Sequence, residues 1–365
     1  MTGPTQFPFW PRKSPNFAKL RHAVRPIVRQ WEQDYPESPI HVGLSGGADS
    51  LALTAALIAE ASPGRIHALC VDHQLQAGSA TVAMAAAKTA KELGAAAAVI
   101  PVHVAPGNLE AEARRARYAA MREYTPRILI AHTADDAVET LLMHLMRGRI
   151  QGLHPISMVE NLEIYRPLLG LRRAHTTGAC EELGLHAWQD PHNFSDSFRR
   201  PRIRHELIPL LNEIAGGDAS AALMAAGTQA VAMDSYIKEC ACTLLQEALI
   251  VGPEPRVSST KPGGEGRSGL GVDKLEQKPE PIRLEVIAQW LAAEGMGVST
   301  AVLRRIDALI HDWHGQGDVA IPARAHGENR PGSHKRTVVG RIDGVLAIRE
   351  EKDEGNEPRA TDRNP

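Results

Sequence analysis

The hexapeptide Ser45-Gly46-Gly47-Ala48-Asp49-Ser50 lies where a short apolar run gives way to a segment rich in Ala and Leu. Its two glycines allow the backbone to turn tightly, so that successive N–H groups converge on an anion, and a helix starting there adds its partial positive charge. The hydroxyls of Ser45 and Ser50 can donate to phosphate oxygens. Asp49 would repel a bare phosphate, so its presence predicts a bridging Mg²⁺. For the hexapeptide alone, an ordinary glycine turn with an Asp or Ser cap is the alternative.

A second segment concentrates carboxylates at the start of a predicted helix. Asp135, Asp136 and Glu139 follow the apolar run that ends at Ala131. Spacings of three and four residues place their side chains on one helix face, where they could hold a cation or accept a proton. Acidic residues also favour the helix dipole, so capping is the alternative. His132 could line a nucleotide pocket, or it could be a core histidine at a strand end.

Alternating strand and helix patterns predict the elements that position both segments. Such alternation indicates an α/β fold, a doubly wound parallel sheet with helices on both faces. Ligands bind such sheets at the carboxyl ends of the strands, near the switch point, and both acidic segments follow predicted strands. The predicted strands are 40–44, 66–71, 96–104 and 127–131, and the predicted helices are 17–31, 49–60, 79–93, 108–123 and 135–147.

From about Arg199 the pattern becomes helical, which predicts a smaller, mainly helical domain over residues 199–350. Residues 252–281 are dense in Pro, Gly and charge and are predicted to form a disordered insertion. The first 20 residues are expected to form a loose arm, and residues 351–365 a charged tail. The predicted helices are 202–211, 220–248, 282–293 and 300–313, and short β-like runs occupy 337–339 and 345–348.

The composition narrows the class of protein. Hydrophobic residues make up 43% of the chain and charged residues 23%, so most of it can bury a core. No apolar run reaches the ~20 residues of a membrane span, and the start of the chain lacks a secretory pattern, so we expect a cytoplasmic protein with no membrane partner. The four cysteines are scattered, with no CxxC, which argues against a disulfide scaffold or an iron–sulfur site.

The hexapeptide resembles the PP-loop of ATP pyrophosphatases, which cleave ATP to AMP and pyrophosphate. Further segments resemble, in order, the motifs of the tRNA(Ile)-lysidine synthetases of the short form. The resemblance spans about residues 40–215, and each motif lies at a strand end or a helix start. These segments are Val71–Leu75, Asn108–Tyr118, Ala131–Thr140 continuing to Arg147-Gly148, Gly152-Leu153, Arg166–Leu169, Asp190–Asn193, and Arg200 with Ile203–His205.

The resemblance implies a ligase that joins free L-lysine to C2 of the wobble cytidine, position 34, in the CAU anticodon of tRNA(Ile). ATP would first adenylate the cytidine and release pyrophosphate, and lysine would then displace AMP. The hexapeptide and His132 would bind ATP, and Asp49 and Asp135 would hold Mg²⁺. The catalytic group would be Asp49, Asp135, Asp136 and Glu139. The domains would be an N-terminal arm and helix (1–36), the PP-loop domain (37–198) and a tRNA-binding domain (199–350).

Arginines are the expected tRNA contacts, because they position phosphates without reading bases. Arg114 and Arg117 could instead contact ATP phosphates, or be solvated and paired with Glu110 and Glu112. Aromatic residues make up only 4% of the chain, which argues against a stacking platform for bases. The predicted tRNA contacts are Arg114, Arg117, Arg147, Arg200, Arg202 and Arg204, and Arg149, Arg166, Arg172, Arg173 and Arg199 add to the basic surface.

Two positions depart from the family pattern: Gln76 replaces an arginine, and Pro201 replaces an asparagine. The alternatives are another PP-loop tRNA-modifying enzyme, of the thiolase or amidotransferase type, and a non-catalytic tRNA-binding protein. The missing CxxC pairs argue against the thiolase, and the combination of the hexapeptide with Asp135 and Glu139 argues against the binding protein. The sequence leaves a homodimer open.

Overall fold

A computed structural model shows two compact units, Met1–Val231 and Ala232–Pro365. The sequence placed the domain boundary at 198/199, whereas the two units divide at 231/232. Residues between the two boundaries pack against the first unit. Gly152 and Gly227 are so close that a Cβ on Gly152 would lie 2.8 Å from the carbonyl oxygen of Gly227. The structure describes residues 10–11, 13–75, 78–107, 109–148, 152–159, 161–188, 199–250, 268–321 and 335–352.

The first unit is built on a six-stranded sheet of order β3-β2-β1-β4-β6-β5. Five strands are parallel, and β5 pairs antiparallel with β6 at the edge. The predicted parallel sheet is therefore confirmed, with β1 and β4 adjacent at its centre. The strands are β1 (Ile40–Gly43), β2 (Ile66–Asp72), β3 (Ala96–Pro101), β4 (Arg127–Leu129), β5 (Ile156–Val159) and β6 (Leu162–Tyr165).

Helices surround this sheet, and they include the predicted ones with small shifts at their ends. The helices are α1 (Pro15–Asp34), α2 (Ala48–Glu60), α3 (Ser79–Glu92), α4 (Leu109–Tyr124), α5 (Ala134–Leu145), α6 (Arg173–Leu183), α7 (Arg199–Arg202), α8 (Ile208–Ala215) and α9 (Ala219–Ala248), with a π-helical turn at Ile203–Leu207. The two units divide within α9. Helix α1 begins at Pro15, so the loose arm predicted for residues 1–20 is wrong for residues 15–20.

Two apolar layers bury the sheet and fix the ends of its central strands. One layer packs α1, α2, α3 and α6 around side chains such as Leu20 and Leu53. The other is smaller and packs Tyr118 and Met121 of α4 against Ile128 of β4. Because buried β1 leads directly into the turn before α2, and β4 leads to α5, the two chemically active segments start from adjacent strands.

The second unit contains a five-stranded antiparallel sheet of order β7-β8-β11-β10-β9. The sequence predicted a mainly helical domain with two short β-like runs, and those runs are the long hairpin β10–β11. The elements are β7 (Leu249–Ile250), β8 (Gly269–Gly271), α10 (Val272–Leu275), α11 (Glu280–Ala293), α12 (Thr300–His311), β9 (Val319–Ile321), β10 (Lys335–Ile342) and β11 (Val345–Lys352).

The predicted disordered insertion is wrong for residues 268–281. Strand β8 and helix α10 lie within it, and Leu270 and Leu275 belong to the core of the second unit. Residues 251–267, Gln76, Arg149, Asp190–Asn193 and the tail after 352 lie outside the described residues. Among the helices that are described, none combines the length and apolarity that a membrane span requires.

Candidate active site

The hexapeptide forms the predicted turn between β1 and α2. Gly46 has a φ of +85°, a conformation that side chains disfavour, and it lets the chain reverse direction before the helix begins at Ala48. The Ser50 hydroxyl donates to the carbonyl oxygen of Gly47 at 2.9 Å and accepts from the backbone N–H of Ser45 at 3.2 Å. The Ser45 and Ser50 hydroxyls lie 3.1 Å apart. The turn is thus pre-formed at the N-terminus of α2, where an anion is favoured.

The acidic segment begins α5, as predicted. Asp136 accepts hydrogen bonds at 2.8 Å from both the N–H and the hydroxyl of Thr133, so it does cap this helix. Its second oxygen accepts from Arg173 at 2.8 Å. Capping and a role in the acid cluster are therefore combined in one carboxylate.

Arg173, at the start of α6, joins the two segments. Its guanidinium contacts three carboxylates, with Nε 3.2 Å from Asp49, one terminal nitrogen 2.8 Å from Asp136 and the other 3.4 Å from Glu139. Its backbone N–H donates to Asp135 at 2.7 Å. All four acids that the sequence analysis proposed as catalytic therefore contact one residue. We call Asp49, Asp135, Asp136 and Glu139 the acid cluster.

Two further arginines border the acid cluster. Arg204 donates to both oxygens of Glu139, at 2.8 and 3.2 Å. Arg172 lies between Asp135, at 3.2 Å, and Asp218, at 3.0 Å. The side chain of Glu139 is only 1% exposed, so a buried carboxylate here needs the ion pairs that Arg204 and Arg173 supply.

Burial and charge act in opposite directions on the carboxyl groups. Burial raises the pKa of Asp49, although Arg173 and a hydrogen bond from Thr176 oppose it. Burial also acts to raise the pKa of Asp136, but Arg173, His132 and the hydrogen bonds from Thr133 outweigh it, and the pKa is lowered. The same carboxylates raise the pKa of Arg173 against the effect of its burial. Arg173 therefore keeps its positive charge beside carboxylates that need a counter-ion.

His132 is neutral and held by a buried arginine. Burial lowers its pKa to about 3, and Asp136 only partly opposes this. Its Nδ1 accepts from Nε of Arg166 at 2.9 Å, and Arg166 also donates to the carbonyl oxygen of His154 and the hydroxyl of Ser157. The structure thus places the half-buried His132 shortly after the end of β4, close to Asp136, and its proposed role toward ATP stays a prediction.

The arginines predicted to contact tRNA lie in different environments. Arg147 is exposed at the end of α5. Arg202 pairs with Glu206 on an exposed helix face at 2.9 Å, and the Arg114 guanidinium lies 4.8 Å from the centre of the Tyr118 ring. Glu112 pairs with Arg115 at 2.9 Å. Arg204 pairs with Glu139 of the acid cluster, and its proposed role as a phosphate contact stays a prediction.

The sequence analysis assigned Arg172 and Arg173 to the basic surface and left out Thr176. Arginine in the first turn of a helix opposes the helix dipole, so two arginines there signal nearby acids. That signal was available in the sequence once α6 was known. Helix α6 itself was missed, because it is short and polar.

The acid cluster has donors that suit Mg²⁺, because carboxylate oxygens are hard ligands and Mg²⁺ in nucleotide sites usually takes only one or two of them. Each oxygen of Asp49 and Asp135 already accepts one hydrogen bond and keeps a second lone pair. No group of three or more metal-binding side chains in ligating geometry occurs among the described residues. Asp49 and Asp135 therefore fit a metal that takes its other ligands from phosphates and water.

Comparisons with known proteins agree with this geometry. A model of the PP-loop domain matches residues 19–211, and a model of the TilS substrate-binding domain matches residues 270–328. The tRNA(Ile)-lysidine synthases of Corynebacterium glutamicum and Mycobacterium tuberculosis are 44% and 42% identical to this chain, each over 85% of it and 90% of their own length. This chain belongs to the tRNA(Ile)-lysidine synthase family. Its fold, its ATP-binding loop and its class of enzyme, a ligase that modifies tRNA, follow from that membership.

The curated lysidine synthase of Rhodococcus erythropolis is 42% identical over 82% of this chain. Among solved structures, the U34-tRNA thiolase NcsA from Methanococcus maripaludis matches 60% of this chain and 80% of its own at 18% identity, with a TM-score of 0.47. The lysidine synthase matches continue well beyond the PP-loop domain. They therefore favour the ligase over the thiolase, the amidotransferase type and the non-catalytic binding protein.

Proposed function

We propose that the protein ligates free L-lysine to C2 of the wobble cytidine, position 34, in the CAU anticodon of tRNA(Ile), and forms lysidine, AMP and pyrophosphate in the cytoplasm. The observation that carries this proposal is the acid cluster. Asp49 of the PP-loop lies against the same guanidinium as Asp136 and Glu139 of α5. A nucleotide held by the PP-loop would therefore react beside carboxylates that can attract an ammonium group and accept its proton.

The loop and Asp49 serve the first step, in which the cytidine O2 attacks the α-phosphorus of ATP and pyrophosphate leaves. The N–H groups at the start of α2 and the hydroxyls of Ser45 and Ser50 would hold the departing phosphates, and the Ser50 hydroxyl would exchange its hydrogen bond to the carbonyl oxygen of Gly47 for one to phosphate. Mg²⁺ held by Asp49 and Asp135 would neutralise charge that develops on them. Charge stabilisation of this kind is typically the largest single contribution to such a step.

Asp136 and Glu139 serve the second step. Lysine binds as an ammonium ion but attacks as a neutral amine, so one proton must leave its Nε before the new C2–N bond forms. A carboxylate can attract the ammonium and then accept that proton, and AMP departs with the former O2. Glu139 can attract the ammonium, because it already holds cationic groups at 2.8 and 3.4 Å, and Asp136 shares the Arg173 guanidinium with it.

The exposed arginines of the first unit would position the anticodon stem and loop. Phosphates of the tRNA can be neutralised by exposed Arg147 and Arg202 and by half-exposed Arg114, Arg117 and Arg200. The target cytidine must leave its stack in the anticodon loop to reach the PP-loop of the protein. The second unit includes the segment that matches a substrate-binding domain, residues 270–328. We propose that it binds another part of the same tRNA.

The test incubates the protein with tRNA(Ile) bearing a CAU anticodon, ATP, Mg²⁺ and labelled lysine. We expect label in the tRNA, with one AMP and one pyrophosphate for each lysine. A transcript with a UAU anticodon is the control and should stay unlabelled. AMP production without label in the CAU transcript would reject lysine as the nucleophile.

A further inference from the structure

Resting on this proposed function, we infer that Arg173 is a positioning residue that serves as a counter-ion of the acid cluster and is replaced there by the cations that the reaction brings to it. The reaction needs two such cations, a divalent metal ion and the ammonium of lysine. Arg173 contacts the acids proposed to receive each of them, Asp49 for the metal and Asp136 and Glu139 for lysine. It would hold these acids in register until a ligand replaces it.

The first argument is the need for a cation. Asp49 and Asp136 are largely buried and Glu139 is fully buried, and they belong to separate helices, α2 and α5. Carboxylates gathered away from water without a counter-ion repel one another and lose solvation. Among the described residues, Arg173 is the cation whose guanidinium contacts all three of these acids. The charge balance of the acid cluster therefore depends on Arg173, together with Arg172 and Arg204.

The second argument is geometry. Arg173 divides its donors over three carboxylates at 2.8, 3.2 and 3.4 Å, so it makes a paired, two-donor contact with none of them. The paired contact is the strong form of this interaction. A compact cation of higher charge could approach the same oxygens more closely. The guanidinium is thus held well enough to order the acids and loosely enough to be replaced.

Solvent reaches the side chain of Arg173. The side chain of Arg173 is 26% exposed, whereas that of Glu139 is 1% exposed. Arg173 also starts α6 and points its long side chain back toward the PP-loop, so it can withdraw toward solvent without unfolding the helix. The carboxylates of the acid cluster would stay in place while another cation replaces Arg173.

This role predicts that a divalent metal ion without ATP binds weakly to the parent protein, because it must compete with Arg173. Replacing Arg173 by glutamine removes the competing charge and keeps a polar side chain that can donate to a carboxylate. The probe is Mn²⁺ alone, measured at pH 8 by electron paramagnetic resonance and by calorimetry. We expect Arg173→Gln to bind Mn²⁺ about tenfold more tightly than the parent, a change of the size expected for removal of one nearby charge.

The matched control is Arg25→Gln. Arg25 also pairs with a carboxylate in the first unit, donating to Glu60 at 2.7 and 3.1 Å, and Arg21 remains to hold that acid. The control removes the same charge away from the acid cluster and should bind Mn²⁺ like the parent. Equal tightening in both variants would mean that net charge alone is responsible and would overturn the inference.

A second variant keeps the inference falsifiable if Arg173→Gln does not fold, as judged by circular dichroism. Arg173→Lys retains the charge but replaces the broad guanidinium by a single ammonium on a shorter side chain, and it should tighten Mn²⁺ binding about threefold. Unchanged or weaker Mn²⁺ binding in the folded variants would reject the placeholder role. The lysine-incorporation assay on the parent protein is independent of this result, so a failure of the proposed function would be recognised separately.

Discussion

Two arginines, one in each unit, meet carboxylates in opposite ways. In the second unit, Arg283 of α11 donates at 2.7 Å to both oxygens of Asp307 of α12, and its remaining terminal nitrogen donates to the carbonyl oxygen of Lys278. Both side chains are buried. In the first unit, Arg173 shares its donors among three acids and stays partly exposed.

The difference separates a structural ion pair from a site that exchanges ligands. Arg283 and Asp307 satisfy each other, so neither has a strong interaction left for a ligand. The acid cluster gathers more carboxylates than Arg173 can satisfy with paired contacts, and this surplus suits the binding of further cations. Two charges that pair with each other alone are thus a structural brace, whereas several carboxylates that share one guanidinium indicate function.

The largest effect should follow a change in the acid cluster. Asp49→Asn keeps the shape of the side chain but removes its charge, so pyrophosphate release should fall by about 10²- to 10³-fold. Binding of tRNA, measured by filter retention, should stay unchanged, because the predicted phosphate contacts lie elsewhere. Pyrophosphate release at the parent rate would reject the metal role of Asp49.

The brace should respond in stability rather than chemistry. Asp307→Ala leaves Arg283 buried and unpaired, so we expect the free energy of unfolding in urea to fall by about 3–5 kcal/mol. The double variant Arg283→Met with Asp307→Leu is the control. It should recover most of this loss, because apolar side chains need no partner. A double variant as unstable as Asp307→Ala would mean that the pair itself supplies the stability.

The same contrast divides the arginines of the first unit. Arg147→Ala should weaken tRNA binding and lower the slope of log affinity against log salt by about 1, since an exposed phosphate contact is lost. Arg204→Ala should leave that slope unchanged and reduce lysine incorporation, because Arg204 is held by Glu139. If Arg204→Ala lowers the slope of log affinity against log salt instead, the predicted contact of Arg204 with tRNA phosphate is supported.

The smallest effect concerns pH. Burial, with a contribution from His67, lowers the pKa of His41 in β1 to about 4. The unfolded chain then binds more protons than the folded one between about pH 6.5 and 4, so stability falls as the pH drops through this window. His41→Phe should remove about 1 kcal/mol of that fall in urea titrations, since His41 is only partly shielded from solvent. Equal falls in parent and variant would contradict this cause.

The sequence predicted the parts of the fold whose local pattern matches their environment. Strands β1, β2 and β4 are short apolar runs because both faces of the parallel sheet are covered. The hairpin β5–β6 was not predicted, because Ile156 and Met158 of β5 are exposed and this edge strand has no alternation of buried and exposed residues that would indicate a strand. Strand β8 was hidden because Gly269-Leu270-Gly271 adjoins a segment dense in Pro and Gly.

The candidate site was predicted in its acids but not in its counter-ions. Asp49, Asp135, Asp136 and Glu139 lie in two short segments whose spacing indicates chemistry. The contact between Arg173 and Asp49 joins positions 124 residues apart, and no local pattern encodes such a pair. Arginines also serve as phosphate contacts, so residue type alone could not separate Arg173 and Arg204 from the basic surface.

The central claim is that one acid cluster serves both the ATP step and the lysine step. It is tested most directly by Glu139→Gln, with pyrophosphate release and lysine incorporation measured in the same reaction. Glutamine keeps the size of the side chain but can neither attract the ammonium nor accept its proton. We predict pyrophosphate release within about threefold of the parent and lysine incorporation reduced by at least about 10²-fold. Lysine incorporation at the parent rate, or an equal loss of both activities, would contradict the account.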